Sequence, residues 1–496
     1  MPGQLLEELE GRGIKLRLDG DKLRYTAPPD ALTPELRLKL QARKAELVQH
    51  LSTATTLCPA SFAQKRFWTL QQLDPKETFY HAPFLFKILG AVDPAVVRSS
   101  FDAMVARHEI LRTVLKQIDG QLMQVISPKG EVAWFETRMP GATESDLHGW
   151  MAEEARRPFD LAAASGLHVA FASVPGTEPS EDASYLQICF HNTLFDHPTL
   201  LNVLKEFAAH YNALESDVPV GLPPVTQYSE YAKWQAGTVA PGSSLVEERR
   251  QYWKDWFRAG EPPPWTWRNQ NSGPQAKNFD SHLLWHRYSA DLTRRLHASC
   301  RRHAVTPYIA IVAAYFLLLR RYSGCSDITV GTTYVIRPDW RFESMIGASE
   351  VVPALRVDLG DNPTIASLLG RVKDVVTSAL TYQDIPLKEV FPDRQGGPLF
   401  KAVFSAYPET LRGKLQLNGL DVEWVEDWMH DQTRPDLYLV TWETETDNGK
   451  SLGGVWLPKK SLFDVEAANE MNLWFGRVLE AIVDDPNKTV AELIAD

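Results

Sequence analysis

Four polar side chains follow a strand-like apolar run near the middle of the sequence, and their types suit acid–base chemistry. The run Tyr185–Phe190 leads directly into His191, Asn192, Asp196 and His197. An imidazole can take up or release a proton near neutral pH, whereas an amide can only donate and accept hydrogen bonds. An apolar helical pattern follows at once. A strand, a polar turn and a helix in this order can hold reactive groups on rigid backbone, so this segment is the first candidate site.

A separate small unit is predicted over residues 1–52. Residues 14–25 alternate between apolar and polar on both sides of Asp19-Gly20, which is a hairpin signal. The positions predicted to face inward are Ile14, Leu16, Leu18, Leu23 and Tyr25. Thr33 is a plausible N-cap, and Pro34 suits the first position of a second helix that runs through Leu51.

The outward face of this hairpin is purely basic, although the 496-residue chain carries a net charge of −11. The outward residues are Lys15, Arg17, Lys22 and Arg24. One interpretation is a solvated surface, which is the usual role of a charged stripe. The other is a cradle for an acidic peptide, since a two-stranded hairpin also has free edges that can pair with a strand.

The composition and charge of the chain exclude several classes of protein. The chain is 44% apolar and 23% charged, as in ordinary globular proteins, and no apolar run reaches the roughly 18 residues of a membrane span. The acidic net charge disfavours nucleic acid as a partner. Four scattered cysteines and no secretory signal favour a cytoplasmic protein without a metal site. Residues 258–282 contain three consecutive prolines and few periodic positions, which predicts a surface connection.

The segment His191-Asn192-x-x-x-Asp196-His197 resembles the His-His-x-x-x-Asp-Gly motif of the condensation domains of nonribosomal peptide synthetases. Arg107–Thr113 matches a further motif of that family without change. Tyr382–Pro386 is similar to its His-Gln-Asp-x-Pro motif, with Tyr382 in the place of the histidine. The sequence shows neither an adenylation core nor a carrier serine motif, which predicts a stand-alone condensation protein or a fragment of a longer synthetase.

The N-terminal helix–hairpin–helix pattern looks like the TubC-type docking domains of synthetase subunits. Together the resemblances imply an α/β protein with two chloramphenicol-acetyltransferase-like lobes in a V, preceded by a small α-β-hairpin-α docking domain. The expected boundaries are 1–52 for the docking domain, 57–235 for the N-terminal lobe and 236–496 for the C-terminal lobe. A tunnel is expected between the lobes, with carrier-bound substrates entering from opposite faces.

The resemblance also implies acyl transfer from a thioester to an amine or a hydroxyl group. In the family the second histidine of the motif handles the proton or positions the nucleophile, and that place is held by Asn192. The aspartate is structural and pairs with an arginine of the second lobe, for which Arg337 is the expected partner of Asp196. Because an amide cannot take up a proton near neutral pH, Asn192 favours an amine acceptor over a hydroxyl.

Several other residues are candidates for the same site. His197 replaces the family's glycine, and its side chain either points away or enters the tunnel. Inside the tunnel it would supply an imidazole, block the acceptor channel or line the wall without a chemical role. His191 is a weaker catalytic candidate, since adjacent residues of a strand face opposite sides. Glu350 and Val351 replace an apolar residue and an asparagine of the family, and Glu350 is either exposed or faces the tunnel beside His197. Tyr382 is a further tunnel candidate.

Three functions remain open at this stage. The first is an acyl-condensing enzyme with altered proton handling. The second is a catalytically silent domain that recruits carrier proteins or gates them. The third is the same fold adapted to cyclisation, dehydration or chain release. All three imply substrates on phosphopantetheine arms, no tightly bound cofactor, an upstream carrier protein that docks through an acidic C-terminal tail, and possible contact with a downstream carrier.

Overall fold

The structure is a computed structural model. It describes residues 5, 8–9, 11–19, 22–29, 31–44, 46–47, 55–176, 182–267, 279–393, 399–408, 410–429 and 431–495.

The N-terminal unit contains the predicted hairpin. Strand β1 (Lys15–Asp19) pairs antiparallel with β2 (Lys22–Thr26), and Gly20 lies outside the described residues. Helix α1 (Pro34–Ala42) begins after Thr33, whose hydroxyl accepts a hydrogen bond from the backbone N–H of Leu36.

Two expectations for this unit differ from the structure. Helix α1 ends at Ala42, so it does not run unbroken to Leu51, which lies outside the described residues. Tyr25, predicted to face inward, is 51% exposed. A unit of about 50 residues is too small to bury the apolar side chains at both ends of a hairpin. Ile14 is buried, and Leu16 and Leu23 pack partly buried against the same small core.

The first half of the chain builds two sheets. The five-stranded sheet has the order β16-β4-β9-β8-β7, and the three-stranded sheet has the order β3-β6-β5. Their strands are β3 (Thr56–Pro59), β4 (His81–Leu89), β5 (Thr113–Ile118), β6 (Gln121–Ile126), β7 (Ala133–Arg138), β8 (Leu167–Val174), β9 (Ala183–His191) and β16 (Asp421–Trp424). Strand β16 comes from far along the chain and pairs antiparallel with β4, so the two halves of the protein share one sheet.

The second half builds a six-stranded sheet of order β10-β18-β17-β15-β11-β14 and a short ribbon of β12 and β13. The strands are β10 (Leu284–Arg287), β11 (Asp327–Thr332), β12 (Tyr334–Val335), β13 (Glu350–Val351), β14 (Ala354–Asp358), β15 (Ala402–Ala406), β17 (Leu437–Thr446) and β18 (Gly449–Pro458). Strand β15 pairs parallel with both β11 and β17, and the other neighbours in the sheet are antiparallel.

Helices cover these sheets. In the first half they are α2 (Phe62–Leu73), α3 (Pro94–Arg107), α4 (Glu144–Ala155), α5 (His197–Glu215), α6 (Tyr228–Thr238) and α7 (Ser244–Trp256). In the second half they are α8 (Ala290–Arg302), α9 (Pro307–Ser323), α10 (Ile365–Tyr382), α11 (Leu387–Val390), α12 (Val465–Asp484) and α13 (Val490–Ala495). Short 3₁₀ turns cover Glu109–Arg112, Phe257–Ala259 and Trp340–Phe342.

The largest core lies on the six-stranded sheet. Helix α9 is apolar on all sides and is buried from Ile309 to Leu319, as expected for a helix packed between other elements. Trp265 and Trp267 belong to this core, so the prediction of a surface connection over 258–282 was wrong for these two residues. The three prolines suggested an irregular surface segment, although two large apolar side chains lie beside them. Each of these side chains buries much surface on folding.

No single helix in the described part of the chain is long and apolar enough to cross a membrane. One bent pair, α8 with α9, passes the same length and composition test. Residues of both helices contribute to the main core.

Candidate active site

The end of strand β9 fixes the backbone of the candidate site. His191 pairs with His81 of β4 in the antiparallel register, and its N–H donates to the carbonyl of Gly166 at 2.8 Å. The N–H of Asn192 continues this ladder and donates to the carbonyl of Tyr80 at 2.9 Å. The backbone position of Asn192 is therefore set by the end of β9, the central strand of the five-stranded sheet.

His191 is 1% exposed and faces away from the open side of the site. Its Nδ1 accepts a hydrogen bond from the N–H of Thr193 at 3.1 Å, which places the ring proton on Nε2. Burial, with smaller contributions from His81 and His168, lowers the pKa of His191 to about 3. A neutral, fully enclosed imidazole of this kind holds the turn in shape and is poorly suited to exchanging a proton with a substrate.

Three histidines form a buried cluster behind the motif, which was not recognised in the sequence. His81 and His168 pack on Phe159, and His168 stacks on that ring with the centroids 3.8 Å apart. Burial lowers the pKa of His81 to about 4 and that of His168 to about 3. The three residues lie on different strands or strand ends, so only the sheet register could have revealed the cluster.

Asp196 is completely buried and links three parts of the chain. Its Oδ1 accepts the N–H of Thr199 at 2.8 Å, which caps helix α5, and also Nη2 of Arg337 at 2.9 Å. Its Oδ2 accepts the N–H of Ser349 at 2.9 Å and the hydroxyl of the same residue. The ion pair expected between Asp196 and Arg337 is therefore present in the structure.

Arg337 binds the following loop as well as the aspartate. Its Nη1 donates to the carbonyls of Phe342, Glu343 and Met345 at 2.8, 2.9 and 2.7 Å. Its side chain is 8% exposed. The planar guanidinium group of arginine can donate hydrogen bonds to a carboxylate and to several carbonyls at once. The ammonium group of a lysine could not do so in the same geometry.

Close backbone packing completes this anchor. The hydroxyl of Thr199 donates to the carbonyl of Gly347 at 3.1 Å and accepts its N–H at 3.0 Å. Gly347 has a φ of +140°, and a Cβ at this position would lie 2.1 Å from the ring of Tyr228. Only glycine therefore fits where the loop crosses the start of α5.

A cavity of about 590 Å³ opens beside this anchor and has both Asn192 and His197 in its wall. It lies between strands of the five-stranded and six-stranded sheets, and its wall is mainly aromatic and aliphatic. Its large aromatic residues include Phe84, Phe195, Tyr407, Trp424, Trp428 and Trp442. The volume is in the range of sites that enclose a drug-sized ligand.

His197 is the first residue of α5, and its ring stacks on Tyr407 with the centroids 4.6 Å apart. An imidazole held flat against a phenol ring forms part of the cavity wall. The structure therefore brings Asn192 and His197 together on one cavity.

The turn after β9 has few donors left for an oxyanion. The N–H of Asn192 donates to Tyr80, that of Thr193 donates to His191, and that of Leu194 donates to the carbonyl of His191 at 2.9 Å. The side-chain amide of Asn192 offers two donors and one acceptor on the cavity side. It is therefore the group of this turn best able to contact a substrate.

Two of the three tunnel candidates lie near the cavity. Glu350 is in its wall and also in that of a second cavity of about 340 Å³, where Val351 lies beside it. Tyr382 ends helix α10 and stacks on Tyr252 with the centroids 5.1 Å apart. Neither of these two cavities is lined by Tyr382. Its neighbour Gln383 lines the second cavity.

The four basic hairpin residues are described only through their backbone. The register places Arg17 opposite Arg24, and Lys15 and Lys22 lie on the same two strands. Their side chains lie outside the described residues. Among the described residues of the whole chain, no group of three or more His, Cys, Asp or Glu side chains is arranged to hold a metal ion.

The fold and the anchored motif define a condensation-type protein of two sheet-and-helix halves. The family model of the condensation domain matches residues 54–495, and that of the TubC N-terminal docking domain matches residues 3–52. The chain therefore belongs to the condensation domain family.

Curated relatives are long synthetases. The chain is 30% identical over 442 residues to malpinin synthetase of Mortierella alpina, a match that covers 87% of this chain and 6% of that protein. It is 27% identical over 482 residues to a linear gramicidin synthase of Brevibacillus parabrevis, covering 92% of this chain and 9% of the relative. The chain thus spans less than a tenth of either relative.

Solved structures share the fold. The X-domain from teicoplanin biosynthesis superposes with a TM-score of 0.76 at 22% identity, covering 89% of this chain and 99% of that one. The first condensation domain of the CDA synthetase gives a TM-score of 0.72 at 16% identity, covering 88% of this chain and 98% of that one.

Proposed function

We propose that this domain transfers an acyl group from a carrier-bound thioester to an amine and so forms an amide. The observation that carries this proposal is the open cavity beside an intact Asp196–Arg337 pair, with the Asn192 side chain in its wall. Apolar walls suit an acyl chain. Substrates are presented on phosphopantetheine arms of carrier proteins, and no tightly bound cofactor takes part.

An amide in place of the second motif histidine suits an amine acceptor. A neutral alkyl amine attacks a thioester before it loses a proton, whereas a hydroxyl group needs a base earlier in the reaction. The carbonyl oxygen of Asn192 can accept an N–H of the amine, and its NH₂ can donate to the developing oxyanion. The site then acts mainly by holding the reactants at attack distance.

Substitution of Asn192 tests this proposal. With octanoyl-pantetheine as donor and glycine methyl ester as acceptor, Asn192→Ala is expected to lower the rate of amide formation by about 10²-fold, because one oriented hydrogen-bonding group is lost. Asn192→His is expected to gain activity with a hydroxyl acceptor such as methyl lactate, because an imidazole can take the proton. Products are measured by mass spectrometry.

The exposed residue Asn418, which lines neither cavity, provides a matched control. Asn418→Ala should match the parent protein in rate. Formation of no amide or ester by any of the proteins would overturn the enzymatic proposal.

A second candidate function is recruitment of another protein without catalysis. Asn192 favours it, because an amide cannot replace an imidazole in proton transfer. One solved structure with this fold is a complex of the X-domain and OxyB from teicoplanin biosynthesis. The assay above separates the two candidates, since a recruiting domain makes no amide.

The N-terminal unit is proposed to bind the acidic C-terminal tail of an upstream carrier protein, with a downstream carrier at the opposite entrance. The hairpin register sets Arg17 directly opposite Arg24. Like charges across a strand pair are unfavourable, and a bound carboxylate would relieve their repulsion. All four cysteines are free thiols, which supports a cytoplasmic setting for this assembly.

Reversing both hairpin charges should weaken docking. The double variant Arg17→Glu/Arg24→Glu is expected to bind a synthetic peptide of alternating Glu and Leu at least about tenfold more weakly and with a flatter salt dependence. Fluorescence anisotropy of a labelled peptide at several salt concentrations measures both. The double variant Arg37→Glu/Lys44→Glu changes two exposed residues outside the hairpin and has the same net charge. Equal affinities of the two variants would contradict docking on the basic face.

A further inference from the structure

The two cavities adjoin, and one carboxylate belongs to both. Arg66, Glu350, Val352 and Phe400 line the 590 Å³ cavity that contains Asn192 as well as the 340 Å³ cavity on the side of Gln383. A condensation reaction brings two substrates to one point, so a wall shared by two chambers is a suitable place for a reacting group. Glu350 is the acidic side chain in this shared wall.

The motif anchor holds Glu350 in place. Ser349, the preceding residue, donates both its N–H and its hydroxyl to Asp196, and its carbonyl accepts the N–H of Ile336 at 2.9 Å. Glu350 itself pairs with Val335 in the β12–β13 ribbon, two residues before Arg337. Asn192 lies four residues before Asp196 on the other side of the same anchor. The backbone of both residues is therefore held close to the Asp196 anchor.

The surroundings of Glu350 suit proton exchange near neutral pH. Burial raises the pKa of Glu350 to about 7, the Arg66 guanidinium acts in the opposite direction, and Asp196 adds a smaller increase. Tyr407 and Tyr438 also interact electrostatically with Glu350, and the charged or titratable side chains of His197, Lys388, Lys401 and Arg434 line the same two cavities. Burial raises the pKa of both phenols, so these stay neutral while the carboxyl group titrates.

We propose that Glu350 is the proton acceptor of the condensation step, in place of the imidazole that Asn192 cannot supply. This inference rests on the proposed acyl transfer. The amine nitrogen forms a bond to the thioester carbon, and the Glu350 carboxylate takes the proton that the nitrogen loses. The carbon–sulfur bond then breaks, and protonated Glu350 returns that proton to the leaving thiolate. The products are the amide and the free thiol of the pantetheine arm, and Glu350 ends as it began.

Two other carboxylates in the larger cavity are already engaged in structural contacts. Glu426 accepts hydrogen bonds from Arg287 and Trp442, and Asp436 pairs with Lys459 at 3.5 Å. Neither lies in the wall shared with the second cavity. Their positions make Glu350 the favoured base among these three acids.

The test is the pH dependence of amide formation with octanoyl-pantetheine and glycine methyl ester. For the parent protein, kcat/KM is expected to rise with pH through an ionisation near 7, because the carboxylate is the active form. Glu350→Gln should lower kcat/KM by about 10²–10⁴-fold and remove this ionisation. Glu350→Asp keeps a carboxylate and should retain the ionisation at an intermediate rate. The amine titrates equally in all proteins, so its effect cancels in the ratio of variant to parent.

Glu423→Gln is the matched control, since Glu423 is exposed and adjoins the cavity residue Trp424. It should retain both the rate and the pH profile of the parent protein. A Glu350→Gln variant within about threefold of the parent, with the ionisation intact, would overturn this inference and leave acyl transfer standing. A parent protein inactive at every pH would overturn both.

Discussion

Replacing Arg337 with methionine is expected to lower the free energy of unfolding by about 3–5 kcal/mol, because the Asp196 carboxylate would remain buried without its cation. Asp196 is 0% exposed, and the Arg337 side chain is only 8% exposed. The carbonyls of Phe342, Glu343 and Met345 would lose a donor in the same substitution. Since Ser349 and Thr199 depend on this aspartate, the cavity wall near Asn192 should loosen as well.

Arg341→Met is a matched control four residues away. Arg341 pairs with Asp339 at 2.7 Å, but their side chains are 58% and 34% exposed. An exposed pair of this kind contributes about 0–1 kcal/mol. Denaturant unfolding of both variants measures the difference, and an equal loss in the two would contradict the argument from burial.

A double-mutant cycle isolates the ion pair itself. Asp196→Asn alone leaves the Arg337 cation buried, whereas Asp196→Asn/Arg337→Met removes both charges. The double variant is therefore expected to lose less stability than the sum of the two single variants. Strictly additive losses would mean that the two residues stabilise the fold independently.

Local patterns in the sequence predicted the parts of the site that lie close together in the chain. The strand that ends at His191 and the helix that follows Asp196 are consecutive in the chain, so apolar periodicity indicates both. The role of Asp196 as the cap of this helix was seen only in the structure. Arg337 is 141 residues away from Asp196, and only the family resemblance identified it. Thr33 was recognisable as a helix cap because capping depends on neighbouring residues alone.

Contacts between distant segments could not be predicted in this way. Strand β16 joins the five-stranded sheet through hydrogen bonds to β4, which lies far earlier in the chain. The cluster of His81, His168 and His191 exists only through the register of three strands. The sequence could not decide whether the side chain of Glu350 is exposed or faces the tunnel. Its strand has only two residues, which is too short for an alternating apolar pattern to show which face is buried. Its place between two cavities follows from the Asp196–Ser349 contact.

Replacing Glu350 with glutamine is expected to stabilise the protein at pH 8 and to change its stability little at pH 5. The pKa of Glu350 is raised from 4.5 to about 7 in the folded protein, so the folded state holds this proton more tightly than the unfolded chain. Stability is therefore lost as the pH rises from about 4.5 to 7. A shift of this size corresponds to on the order of 3 kcal/mol above pH 7, and to less than about 1 kcal/mol at pH 5.

Unfolding midpoints of Glu350→Gln and the parent protein, measured side by side at pH 5, 6, 7 and 8, test this expectation. Comparison at each pH cancels the titration of all other groups. A constant difference across the series, or a variant less stable than the parent at pH 8, would show that the carboxylate is not destabilised by its burial. If the stability difference between Glu350→Gln and the parent protein grows with pH, and the variant also forms amide more slowly, the charge of Glu350 accounts for both effects. An anion in this site is costly to the fold, and a side chain of the same shape without the charge would be more stable, so this cost is what the proposed role of Glu350 as proton acceptor would have to offset.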